Sequence, residues 1–352
     1  MTLSRFRVLG KDALDTFFTR LQSGATVLAP RPNATNKGRA SWGVATQLAD
    51  VDFDAPRTDM SPKDAVFPQT ECLLHLHPGN ADRLFEEAPV PEGTAVLLTI
   101  HPCDARALAL LDTIFVQDGL TNDKGWRLRR ERTLLVGLSC ADPCPTCFCT
   151  TTGGGPHNST GMDLLLTDLD DLYLVEICSP RGEALAQQLG NCLSPATHAH
   201  AEAALQQQKQ AEALLPKAFN LAALTAIPTA EAYPHPVWAR LGETCLNCGS
   251  CTYVCPTCHC FDIQDEMPAT AHGTGRRVRN WDSCMSPLFT LHASGHNPRA
   301  TRAARVRQRF LHKFLYIPQK RDGLLGCVGC GRCVRLCPVN IDIRAVARDL
   351  GA

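Results

Sequence analysis

The sequence predicts an α/β (or α+β) N-terminal domain with a mixed sheet, followed by a mainly α-helical C-terminal domain organised by cysteines. Three observations predict it. Thr94 to Ile100, Ala105 to Phe115 and Thr133 to Leu138 read as strand, helix and strand, the unit of a parallel sheet. Asp163 to Thr167 and Tyr173 to Ile177, separated by the turn residues Asp168-Leu-Asp-Asp171, read as a hairpin, which makes the sheet mixed. Cys245-Leu-Asn-Cys248-Gly-Ser-Cys251-Thr-Tyr-Val-Cys255-Pro256 has the spacing C-x2-C-x2-C-x3-C-P, and Cys327-Val-Gly-Cys330-Gly-Arg-Cys333-Val-Arg-Leu-Cys337-Pro338 repeats it. That spacing is the ligand run of two-cluster ferredoxins. The expected division is 1–235, an α/β domain with a Cys-rich loop at 140–149, and 236–352, a two-[4Fe-4S] ferredoxin-like domain with an insertion at about 261–322.

Composition narrows the class. The 352 residues are 44% apolar, enough to bury an ordinary core, and 35 basic residues balance 35 acidic ones. With no net charge, no overall field gathers nucleic acid or an anionic membrane. The longest apolar runs, such as Ala95 to Ile100, fall well short of a bilayer span. Met1-Thr-Leu-Ser-Arg-Phe-Arg7 leads into Lys11 and Asp12 without the apolar centre of a secretory signal, so the expected location is the cytoplasm. There thiols stay reduced. Most of the 19 cysteines sit in three tight groups, Cys140 to Cys149, Cys245 to Cys260 and Cys327 to Cys337, which points to metal ligation rather than disulfides.

Taken in order, the first element is a helix on which Leu14, Phe17, Phe18 and Leu21 share one face, with Gly24 beyond its end. A short strand, Thr26 to Leu28, follows. Pro30 to Gln69 is rich in Pro and Asp and carries no assignment. In the strand-helix-strand unit both strands emerge on the same sheet edge, where ligands usually bind. Cys103 and Cys140 each stand just past one of those strands. Ala201 to Ala218 is made of good helix formers and ends near Pro216, and Ala232 to Trp238, with two prolines, reads as a linker.

In each ferredoxin run the first three thiolates wrap one cubane, with Gly249, Gly329 and Gly331 giving the backbone freedom to turn. The fourth cysteine of such runs ligates the other cluster. The expected sets are therefore Cys245, Cys248, Cys251 and Cys337 for cluster 1, and Cys327, Cys330, Cys333 and Cys255 for cluster 2. Paired C-x2-C units also make zinc sites, but zinc leaves the third step and the C-x3-C-P tail unexplained.

Three further cysteines, Cys258, Cys260 and Cys284, are weaker candidates for ligation, since free cysteines are commonly small buried apolar residues. From Arg299 to Arg321 there are eight basic residues and no acid, with Arg302, Arg305, Arg309 and Lys313 on one helical stripe. Such a stripe is ordinarily a solvated face; the sharper reading sets it beside anionic clusters or an acidic partner. Cys140, Cys144, Cys147 and Cys149 lie within ten residues, too dense for packing alone, and Cys103 is a substitute for one of them because both strand ends share an edge. Soft thiolates select zinc or iron-sulfur, and the redox company favours iron, hence a third iron-sulfur cluster, with zinc and unligated thiols as the alternatives.

No G-x-G-x-x-G follows a strand, no Walker motif appears, and Thr152-Gly-Gly-Gly-Pro156 lacks the lysine of a phosphate loop. No flavin or nucleotide is therefore expected on this chain, nor catalysis by it alone. The runs Cys245 to Asp262, His101-Pro-Cys-Asp-Ala-Arg-Ala-Leu108, Asp142-Pro-Cys-Pro-Thr-Cys-Phe-Cys-Thr150 and His292-Ala-Ser-Gly-His-Asn-Pro-Arg299 resemble the beta (iron-sulfur) subunits of cytosolic NAD(P)-linked nickel-iron hydrogenases, the sulfhydrogenases. The electron-transfer subunit of anaerobic sulfite reductase is similar. The resemblance runs from Ser61-Pro-Lys63 to Asp342. It implies an electron carrier whose partners are the small and large hydrogenase subunits together with a flavin- and NAD(P)-binding subunit, or the sulfite reductase subunits in the rival reading. Two other classes remain: a thiol/disulfide catalyst of heterodisulfide-reductase type using Cys258, Cys260 and Cys284, and a zinc-stapled adaptor.

Overall fold

Thr94 to Ile100 is apolar on both faces, so it needs cover on both sides, and the computed structural model places it near the centre of an eight-stranded sheet. The structure describes residues 3–32, 39–55, 57–117, 121–267 and 273–351. Part of the unassigned Pro30 to Gln69 stretch (33–38 and 56) lies outside them. The strands are β1 (Phe6–Gly10), β2 (Thr26–Pro32), β3 (Ala40–Val44), β4 (Thr70–Leu76), β5 (Phe85–Glu87), β6 (Ala95–Ile100), the short pair β7 (Val116–Gln117) and β8 (Thr121–Asn122), β9 (Thr133–Leu138), β10 (Leu164–Asp168), β11 (Leu172–Ile177), β12 (Ser194–Pro195), β13 (Phe261–Glu266) and β14 (Gly275–Trp281).

The large sheet runs β12-β1-β11-β10-β9-β6-β2-β3, parallel through β10, β9, β6 and β2 and antiparallel elsewhere. It is mixed, as the hairpin at Leu164 to Ile177 requires. Alternate side chains feed two cores. Val96, Leu98, Val136, Leu164 and Leu166 meet α1 (Leu14–Gln22) and, through Leu185 and Leu189, a second helix on that face. Leu97, Leu135 and Leu165 meet Ala105, Leu108 and Leu111 of α2 (Pro102–Phe115) on the other. Helices thus cover both faces of the parallel strands, and both strand ends open onto one edge. The long helix His198–Leu214 stops before Pro216.

Two expectations for the C-terminal part are corrected. The insertion carries no strand signal in its sequence, yet β13 and β14 form a hairpin that adds to β4 and β5 in a second sheet of order β13-β14-β4-β5. The region 236–352 is therefore not simply helical. β13 is exposed along nearly its whole length, and its apolar alternation stops after Phe261 and Ile263, too short to mark a strand; β14 hides its character behind Arg276, Arg277 and Arg279, which pair with Glu266, Asp265, and Glu71 with Asp123 respectively. The expected linker Ala232 to Trp238 is instead packed: Ala232, Val237 and Trp238 are buried, and the Trp238 indole donates to the Ala232 carbonyl at 2.8 Å. Its prolines set a helix start at Val237 rather than a flexible joint.

Candidate metal centre

Both cysteine runs fold by the same local device. Gly249 and Gly331 take φ of +75° and +68°, and each opens a single helical turn, Ser250–Tyr253 and Arg332–Arg335. At Gly331 the freedom is obligatory, since a Cβ there would lie 2.2 Å from the Thr146 carbonyl oxygen. The turns bring the thiols together in two cavities. Cys245, Cys248, Cys251 and Cys337 line one, with Met285, Phe310 and Arg309. Cys255, Cys327, Cys330 and Cys333 line the other, with Phe148, Thr257 and Lys313. Cys333 borders both, so the cavities adjoin. Cys248 is exposed, whereas Cys255, Cys327 and Cys330 are buried.

The basic stripe is not a solvated face. Arg302 is exposed, but Arg305, Arg309 and Lys313 are buried. Lys313 sits in the π-helical turn His312–Tyr316 and donates from Nζ to the Cys255 sulfur at 3.3 Å, to Thr257 Oγ1 at 3.0 Å and to the Gly326 carbonyl at 3.2 Å. Burial opposes its charge, yet the Cys255 and Cys258 sulfurs hold its pKa well above the ordinary lysine value. Arg309 behaves likewise against Cys251 and Cys333. Neither forms an ion pair with a carboxylate among the described residues. Lys63, also buried, donates to the carbonyls of Cys255 and Cys258 at 3.0 and 2.7 Å and lies 4.1 Å from the Trp281 ring centre; burial pulls its pKa down. Cationic side chains removed from water demand compensating anions. Anionic iron-sulfur-thiolate centres meet that demand and neutral thiols do not, so the donor set fits clusters.

The other sequence candidates divide. The Cys258 amide donates to the Cys255 carbonyl at 3.3 Å, and Cys260 and the buried Cys284 pack in the same core as Cys251, Cys327 and Cys333. Cys103, Cys140, Cys144 and Cys147 line a separate cavity at the carboxyl edge of β6 and β9, together with His101 and Arg57. Cys149 does not line it and packs with Leu215. Burial pushes the Cys140 thiol up to about 12, whereas the neighbouring Cys147 thiol pulls Cys144 down.

Sequence reasoning assigns no role to Arg57, Lys63, Asp104 or Arg332. Arg332 is wholly buried and pairs with Asp104, at 2.7 Å between Nη2 and Oδ2, tying the second cysteine run to α2. Asp104 and Lys63 do stand inside the stretches that carry the family resemblance. Nothing in their spacing, however, says that a cation far along the chain ends up on a cysteine.

Adjoining cavities that share Cys333, ringed by the eight motif thiols and by cationic side chains, define an iron-sulfur electron carrier of the dicluster type. Residues 244–341 match the family model described as a 4Fe-4S dicluster domain. Across nearly its whole length the chain is also 30% identical, over 343 residues and 96% of each protein, to the sulfhydrogenase 2 subunit beta of Pyrococcus furiosus. The chain belongs to the family of sulfhydrogenase beta subunits and carries electrons through iron-sulfur centres. No helix among the described residues is long and apolar enough to cross a membrane.

Proposed function

We propose that this chain relays electrons between a nickel-iron hydrogenase module and a flavin- and NAD(P)-binding subunit of a cytoplasmic complex, through two [4Fe-4S] clusters with crossed ligation, and that it is not catalytic alone. The observation that carries the reading is the partition of the eight motif cysteines. Cys337 closes the cavity of Cys245, Cys248 and Cys251, and Cys255 closes that of Cys327, Cys330 and Cys333. Each cluster, when bound, supplies a one-electron store. The chain's own residues do the rest: the thiols hold, Lys313 and Arg309 supply positive charge, and Phe148, Val306 and Phe310 keep water from the buried sides. Cys258 lines neither cavity, and its carbonyl accepts from Lys63 at 2.7 Å.

Crossed ligation has a direct test. Cys337→Ser is expected to alter the electron paramagnetic resonance signal of the cluster held by Cys245, Cys248 and Cys251 and to spare the other; damage confined to the Cys327 cluster refutes the assignment. For the assembly, anaerobic purification of the native complex is expected to return nickel together with a flavin-binding partner. A sulfite-reducing partner in place of nickel would favour the sulfite reductase reading.

A further inference from the structure

A third group of thiols converges where the two sequence motifs do not reach. Cys103 stands in the first turn of α2, just past β6, and Cys140, Cys144 and Cys147 lie on the loop that leaves β9. Because β6 and β9 are parallel neighbours, both segments emerge at one edge and the four cysteines line one cavity there. The cavity holds a cation in an unusual position. Arg57 is 5% exposed, its Nη1 lies 2.8 Å from the Cys147 sulfur, and its Nε and Nη2 have no hydrogen-bond partner among the described residues. Among the described residues no carboxylate pairs with it. A buried guanidinium without a counter-anion is costly, and four neutral thiols leave it uncompensated. Four thiolates on a metal centre supply the missing negative charge.

The neighbourhood decides which centre. The loop rests on the second cysteine run: the Phe148 amide donates to the Gly329 carbonyl at 2.8 Å, and the Cys147 sulfur lies 3.6 Å from the Cys330 carbonyl oxygen. Cys103 packs against Cys330 and Val328. We infer that Cys103, Cys140, Cys144 and Cys147 hold a third [4Fe-4S] cluster, with Arg57 as its counter-cation. The inference deepens the relay reading and rests on it. Thiolate softness admits zinc as well as iron, but zinc cannot change oxidation state. The site abuts the cavity of Cys327, Cys330 and Cys333, which adjoins that of Cys245, Cys248 and Cys251. The three sites are thus successive neighbours, from the sheet edge to the cavity that carries the exposed Cys248. Three neighbours of this kind offer a site toward each of two partners.

The full-length chain, purified and reconstituted without oxygen, is assayed for iron, acid-labile sulfide and zinc. With four irons per cluster, about 12 irons per chain are expected. A double variant, Cys144→Ser with Cys147→Ser, is expected to lose about one third of the iron and sulfide while the resonance signals of the two motif clusters persist. Cys149→Ser is expected to keep its full iron. About 8 irons in the unaltered chain, whether zinc or free thiols occupy the site, overturn the third cluster and leave the relay reading standing. Loss of iron from Cys149→Ser equal to that of the double variant overturns the ligand set. An iron-free chain overturns both readings. The count on the unaltered chain decides even if the double variant does not fold.

Discussion

Lys313 shows how one side chain sets the properties of a redox site. Its ammonium touches the sulfur of Cys255 and is shielded from water by Thr257 and Gly326. A positive charge favours the more anionic reduced state of a cluster. Lys313→Met is therefore expected to lower the reduction potential of the cluster held by Cys327, Cys330, Cys333 and Cys255, by on the order of 100 mV for a charge some 5 Å away at an effective dielectric near 20. Redox titration followed by electron paramagnetic resonance measures it, and an unchanged potential refutes the role. Arg332 and Asp104 act on stability instead. Both are essentially without solvent contact, so Asp104→Asn leaves a buried, partly unpaired guanidinium. The expected loss is about 3–5 kcal/mol in urea unfolding; a loss below about 1 kcal/mol would show that the hydrogen bond from Arg332 Nε to the Thr58 carbonyl at 2.8 Å suffices.

Among the elements, the single helical turns of the cysteine runs matter beyond their length. The turn at Gly331 faces the backbone of Thr146, so that the second run and the loop at 140–149 approach more closely than any side chain allows. Gly331→Ala combines a left-handed φ with a backbone clash, and is expected to destabilise the holoprotein by about 2–4 kcal/mol and to release iron first from the neighbouring cluster. Thermal unfolding monitored by cluster absorbance checks it. The hairpin β13–β14 is invisible in the sequence because its stabilising contacts are made elsewhere. The Arg279 guanidinium is neutralised by Glu71 and Asp123, both distant along the chain, and lies 5.2 Å from the Phe67 ring centre. Periodicity within 261–281 cannot report partners supplied by β4 and the helix that follows Asp123. By contrast β6, α2, β9 and the β10–β11 hairpin are legible, since each satisfies its own backbone pattern with a continuous apolar face.

For the whole molecule, the sheet and the cysteine-bearing region are joined at several places. β14 pairs with β4 from Asn280 opposite Thr70 to Gly275 opposite Leu76, Lys63 caps the Cys255 and Cys258 carbonyls, and Arg332 reaches Asp104. We expect the intact holoprotein to unfold in one cooperative transition, and a fragment spanning 236–352 to hold little iron, because it loses all three contacts; a fragment that keeps both motif clusters and melts sharply would contradict this. The sequence by itself determined the parallel unit, the two cysteine runs and the iron-sulfur class, because those rest on local spacing: a period of residues in a strand, or thiols a few positions apart that one turn brings together. Only the tertiary structure decided which of Cys103, Cys140, Cys144, Cys147 and Cys149 share a cavity, and that Arg57 and Lys63 join Arg309 and Lys313 among the cysteines. Partners separated by hundreds of residues meet through packing, and no pattern within a segment encodes a meeting of that kind.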